Sequence, residues 1–77
     1  MPKVVDAGPY RLYFYSSDGD EPPHIHVDRD ESSAKFWLRP VRVAANHGFG
    51  RQELARIQRV VADNEAICWD AWHRYFA

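Results

Sequence analysis

Apolar residues in this chain recur at every second position before Pro40 and at every third or fourth position after Gly50. A switch from period two to period 3.6 divides a strand-forming part from a helix-forming part, and each must bury its apolar side against the other. Four segments carry the strand signal. Lys3 to Asp6 is short and valine-rich and ends at the turn Ala7-Gly8-Pro9. Tyr10 to Ser16 is aromatic throughout and is bounded by Ser17-Asp18-Gly19-Asp20. His24 to Asp28 alternates strictly, with Pro22-Pro23 stiffening the chain before it. Ala34 to Arg39 alternates again, after the polar loop Arg29 to Ser33, and Pro40 stops it.

Val41-Arg42-Val43 and the turn His47-Gly48-Phe49-Gly50 read as a connector. Beyond it, Leu54, Ile57, Val61, Cys68, Trp72 and Tyr75 form a helical stripe in which Asn64 is the polar interruption. The expectation is an α+β fold: a small four-stranded, mostly antiparallel sheet over about residues 3–39, then helical chain over about 51–76. That part is either one long helix or two consecutive helices broken near Asp63-Asn64, packed on one face of the sheet. Gly50 precedes it as a weak cap, since glycine lacks a side-chain acceptor. Seventy-seven residues suit one domain, 1–77. A core this small usually needs a staple. Cys68 is the sole cysteine, which excludes an internal disulfide and a Cys-rich zinc site and belongs on the apolar stripe. Aromatic packing, at 14% of residues, or a partner chain must supply the rest.

Period two also assigns faces. Leu12, Phe14, Ile25, Val27, Ala34, Phe36 and Leu38 should meet Leu54, Ile57, Val61 and Trp72. Arg11, Tyr13, Tyr15, His24, His26, Lys35, Trp37 and Arg39 should then lie on the opposite face. Such a surface is too apolar to be idle and too polar to be core. His24 and His26, two apart on one strand, can share a ligand. They can hold a divalent metal such as zinc if Glu21, Asp28, His47 or His73 completes the set. Without a metal they can act as an acid–base pair on a ribose 2′-hydroxyl, with Lys35, Arg39 or Arg29 stabilising the phosphorane. Or they simply hydrogen-bond Glu21, Asp28 or the backbone and fix the Pro-Pro corner. Tyr13, Tyr15 and Trp37, interleaved with Arg11, Lys35 and Arg39, suit either stacked bases or a protein partner. Alternatively, a helical segment with Trp69 and Phe76 folds over part of this face. His73, near the helix end, is favoured there by the macrodipole.

The net charge of -1 excludes an overall basic nucleic-acid footprint, yet it is a sum of unlike parts. Asp18, Asp20, Glu21, Asp28, Asp30 and Glu31 surround the histidines, whereas Lys35, Arg39, Arg42, Arg51, Arg56 and Arg59 face a single acid, Glu53, between residues 34 and 59. Six carboxylates beside His24 and His26 argue against phosphate and for a basic protein partner. The opening Met1-Pro2-Lys3-Val4-Val5 has no signal-peptide pattern and nothing spans a membrane, so a cytoplasmic location is expected.

Gly8-Pro9-Tyr10-Arg11, Asp18-Gly19, Glu21-Pro22-Pro23-His24-Ile25-His26-Val27, Ala34-Lys35-Phe36-Trp37-Leu38, Ala71-Trp72 and Tyr75-Phe76 together resemble the bacterial domain of unknown function family 4160. The resemblance covers nearly the whole chain. Its signature positions fall on Glu21, Pro22, Pro23, His24, His26, Lys35 and Trp37, and Gly50 stands where the family usually offers serine. The resemblance implies a stand-alone protein often encoded beside domain of unknown function family 2442, in a pair likened to a toxin and its antitoxin. It implies no established activity. The functional expectation is therefore a toxin-like member of such a pair that binds a small cognate protein, a second copy or nucleic acid through its aromatic and His-bearing face. The binding residues would be Arg11, Tyr13, Tyr15, Glu21, Lys35, Trp37 and Arg39. A ribonuclease-like enzyme using His24 and His26, without cofactor or with a metal, and a non-catalytic interaction module are the alternatives.

Overall fold

The computed structural model describes residues 2–77; Met1, the first residue of the expected domain, lies outside them. Five strands form one antiparallel meander in chain order: β1 (Lys3–Ala7), β2 (Tyr10–Tyr13), β3 (His24–Arg29), β4 (Ser32–Trp37) and β5 (Arg42–His47). Two helices follow, α1 (Arg51–Asp63) and α2 (Glu65–Tyr75). The α+β class, the antiparallel sheet and the two consecutive helices agree with the sequence reading. The number of strands does not, because the segment taken as a connector is β5. Five of its six residues are exposed, so neither face is buried and no alternation could betray it.

The loops are unequal. Ala7 pairs with Tyr10 across Gly8-Pro9, and Arg29 pairs with Ser32 across Asp30-Glu31, both tight hairpins. Trp37 pairs with Arg42 across four residues that include a cis Arg39–Pro40 bond. By contrast, β2 and β3 are separated by residues 14–23, which hold a short 3-10 turn at Asp18–Asp20. A loop this long in a domain otherwise closed by tight turns is where function concentrates.

Leu12, Ile25, Val27 and Phe36 of the sheet and Ile57, Val61 and Cys68 of the helices are fully buried in one core, joined by Phe14, Ala34, Leu38, Phe49, Tyr10 and Trp72. The expected inner face is thus the core. Tyr75, the last residue of the expected helical stripe, is half exposed, although its ring still meets Phe14 edge-on. Asn64 ends α1 by donating its side-chain amide to the Val60 carbonyl (2.8 Å), and its own carbonyl accepts the Cys68 amide (3.0 Å). It therefore closes one helix and opens the next, a local use of the backbone to which asparagine is suited. The break lets α1 lie beside β5 while α2 reaches β1 and β3. Arg29 braces the other end of α1, with its Nε 2.6 Å and its Nη2 2.7 Å from the two oxygens of Glu53, which also accepts the Tyr10 hydroxyl (2.9 Å). Such a two-pronged pairing is geometrically specific.

Truncating Ile57 to alanine should cost about 2–5 kcal/mol of unfolding free energy through the cavity it leaves. Val43→Ala on the exposed β5 should cost about 0.5 kcal/mol or less. Urea denaturation followed by tryptophan fluorescence compares the two, and equal losses would contradict this placement of the core.

Candidate functional site

His24 and His26 project from β3 to the same side, as period two requires, with ring centroids 5.0 Å apart. Their shared neighbour is Asp18, from the long loop. Its Oδ2 lies 3.0 Å from His24 Nε2 and 3.0 Å from His26 Nε2, and it accepts the Tyr15 amide at 2.9 Å. In the sequence Asp18 reads as part of a turn and of the acidic segment around the histidines, not as a candidate ligand. The 3-10 turn holds it in place, and Gly19 lets the structure close over it: a Cβ there would stand 2.8 Å from the Phe76 ring. Of the residues expected to complete a ligand set, Glu21 is the near one, its Oε1 3.8 Å from His24 Nδ1 but paired with Lys35, and the other three lie elsewhere. Asp28 accepts the Tyr13 hydroxyl (3.0 Å), His73 faces the Trp69 carbonyl (3.0 Å), and His47 pairs with Ser33 on β5.

The two histidines differ in kind. His26 is partly exposed and hydrogen-bonds Asp18. Burial pushes its pKa below the usual 6.5, against the opposing pull of Asp18. His24 is fully buried. Its Nδ1 is 3.0 Å from the Pro22 carbonyl, which can only accept, so Nδ1 carries the proton. His24 Nε2 is buried and, although Asp18 Oδ2 is 3.0 Å away, has no hydrogen-bond partner of good geometry. Asp18 itself is held below the usual carboxylate range: burial raises it, but the Tyr15 amide and both histidines together prevail.

Around this cluster lie the other residues singled out in the sequence, and the face they form is not open as expected. Tyr13 is buried, its ring stacked on His26 at 5.3 Å, and burial with the Tyr15 and Asp28 contacts pushes its phenol far up, so it stays protonated. Tyr15 is exposed and meets His26 edge-on at 4.9 Å. Trp72 of α2 lies 4.9 Å from His24 and Trp37 lies 5.7 Å from it, so a helix does cover the cluster, but through Trp72, expected on the core side, with Phe76 packed on it, and not through Trp69, which lies against Arg39. Each cation has an acid. Lys35 pairs with Glu21 and lies over Trp37 (4.7 Å), Arg11 is 3.8 Å from Asp28, and Arg39 binds Glu65 (2.7 Å) while covering Trp69 (4.0 Å). Lys35 also holds the Glu21 carboxyl below its usual range. Arg39 therefore ties the sheet to α2 and stands apart from the cluster. Cys68 is buried and its thiol is pushed up to about 12, which leaves it inert.

A five-stranded α+β domain with two histidines and an aspartate gathered beneath its last helix is the class of protein these observations define. The model of the domain of unknown function DUF4160 matches residues 10–73, and the chain belongs to that family. No curated protein and no solved structure matches it. No helix among the described residues is long and apolar enough to cross a membrane.

The lowered pKa values of His26 and Asp18 have one sign: the unfolded chain binds their protons more readily. Their contribution to stability is complete above about pH 6.5 and is lost as pH falls, first through His26 and then, below about pH 4, through Asp18. The urea midpoint should fall from pH 7.5 to pH 5, and less steeply in His26→Gln; an unchanged slope in that variant would contradict the assignment.

Proposed function

We propose that the protein binds a divalent metal through His24 Nε2, His26 Nε2 and Asp18 Oδ2, and uses it to activate water. The observation that supports this is the His24 Nε2 atom, buried and without a hydrogen-bond partner of good geometry beside a carboxylate oxygen. The remaining requirements of a metal histidine are present. The opposite ring nitrogen, Nδ1, faces a backbone carbonyl, the usual outer partner that fixes the tautomer. The three candidate ligand atoms lie within 4.8 Å of one another, so small side-chain rotations bring them to one ion. Two nitrogens and one oxygen suit zinc, or iron in a two-histidine, one-carboxylate set. Three protein ligands leave a position for water, which distinguishes metal sites that act on substrates from those that only support a fold.

The metal-free acid–base alternative is disfavoured by the same atom. His24 Nε2 has almost no accessible surface, and an acid or base must come within hydrogen-bond reach of its substrate. A toxin-like role in a two-protein pair rests on the family resemblance alone.

Tag-free protein titrated with zinc chloride at pH 7 should take up one equivalent, and at zinc about a hundredfold above Kd its stability should rise by about 2.7 kcal/mol. His26→Ala and Asp18→Asn, both partly exposed positions whose variants should keep the far-ultraviolet circular dichroism of the parent, should lose that gain. Uptake should weaken as protons compete below pH 6. Folded protein that takes up neither zinc nor iron(II) would overturn the proposal.

A further inference from the structure

The sheet has two edges, and they are treated differently. On β1, Lys3 and Asp6 form an ion pair at 2.9 Å, and α2 lies against the strand. On the other side β5 pairs only with β4, and all its residues except half-buried Ala45 are exposed. From Val43 to Asn46 it carries no charge and no proline, and Val43 is 39% exposed. Natural edges are normally blunted by charge, proline or cover, because unpaired amides and carbonyls are a template for another strand. The middle of β5 has neither charge nor proline; α1 packs beside the strand and the β4 pairing is irregular between Val43 and Ala45, yet its residues other than Ala45 stay exposed.

The charge beside this edge indicates what would cover it. Arg42 on the strand and Arg51, Arg56 and Arg59 on α1 are exposed, and none forms an ion pair among the described residues. The single acid of that stretch, Glu53, is held by Arg29 and Tyr10. Gln58 donates to the Val41 carbonyl (3.2 Å), which fixes one flank of α1 beside the turn leading into β5. Arg51, about two turns earlier, lies on the same flank, close in sequence to the far end of the strand. An exposed edge strand and a helix with exposed arginines that form no ion pair among the described residues are thus neighbours.

We propose that β5 is a docking edge for an extended, acidic segment of another protein, which would add as a sixth strand with its carboxylates toward Arg42, Arg51 and Arg59. Main-chain pairing gives such an addition its affinity, and charge its choice of partner. A second copy of this chain is the poorer occupant, since a two-fold pairing of β5 edges would bring like arginine rows together. This proposal is independent of the metal reading, which concerns β3 and the loop before it.

The probe is a short peptide alternating glutamate and valine, added to nitrogen-15-labelled protein, with a lysine–valine peptide as control. The acidic peptide should shift amide resonances of residues 42–47 and protect them from hydrogen exchange, with affinity falling as salt rises. Arg51→Glu combined with Arg59→Glu, both surface changes, should weaken it by about tenfold. Absence of binding, shifts centred elsewhere, equal binding of the lysine peptide, or concentration-dependent self-pairing through β5 would each overturn the proposal.

Discussion

The Trp72 ring is what makes a site out of a simple meander. It lies 5.4 Å from Phe14, a residue of the helix-facing set, and 4.9 Å from His24, a residue of the opposite set. One side chain of α2 thus covers both sides of the sheet's end and excludes water from His24. Phe76, 4.5 Å from Trp72 and seated against Gly19, extends the cover to the loop that carries Asp18. Everything that brings α2 to this position serves the cluster indirectly. Asn64 turns the chain between the helices, and Arg39 clamps α2 through Glu65 and Trp69.

Charge is arranged with similar economy. The acidic segment around the histidines is largely neutralised where it folds, Glu21 by Lys35 and Asp28 by Arg11. Asp18 has no Lys or Arg partner among its ion pairs; its neighbours are the two imidazoles. A carboxylate held low beside two imidazoles, one with its pKa lowered by burial and the other with a buried Nε2 that has no hydrogen-bond partner of good geometry, gathers three candidate ligand atoms. The basic segment is only partly neutralised, and its unpaired arginines collect beside β5.

What was legible in the sequence follows from what has a period. Strict alternation in His24–Asp28 and Ala34–Arg39 placed Ile25, Val27, Ala34, Phe36 and Leu38 correctly in the core, and the interruption at Asn64 marked the helix break. β5 was missed because a strand exposed on both faces has no period to read. His24 and Tyr13 were put on an open face because parity tells which way a side chain points, and not whether a later helix returns to cover it. His24 and His26 were found by their spacing on one strand. Asp18 was not, since an aspartate before glycine in a loop is ordinary turn chemistry, and only the three-dimensional closure of that loop makes it a neighbour of both histidines.

The account turns on the protonation of one ring. Long-range nitrogen-15 to proton correlation spectra of the histidine side chains at pH 7 read it directly. His24 should show a protonated Nδ1, and one equivalent of zinc should leave its Nε2 unprotonated and move that resonance together with the Nε2 resonance of His26. A protonated Nε2 on His24 that is unmoved by zinc would contradict the account.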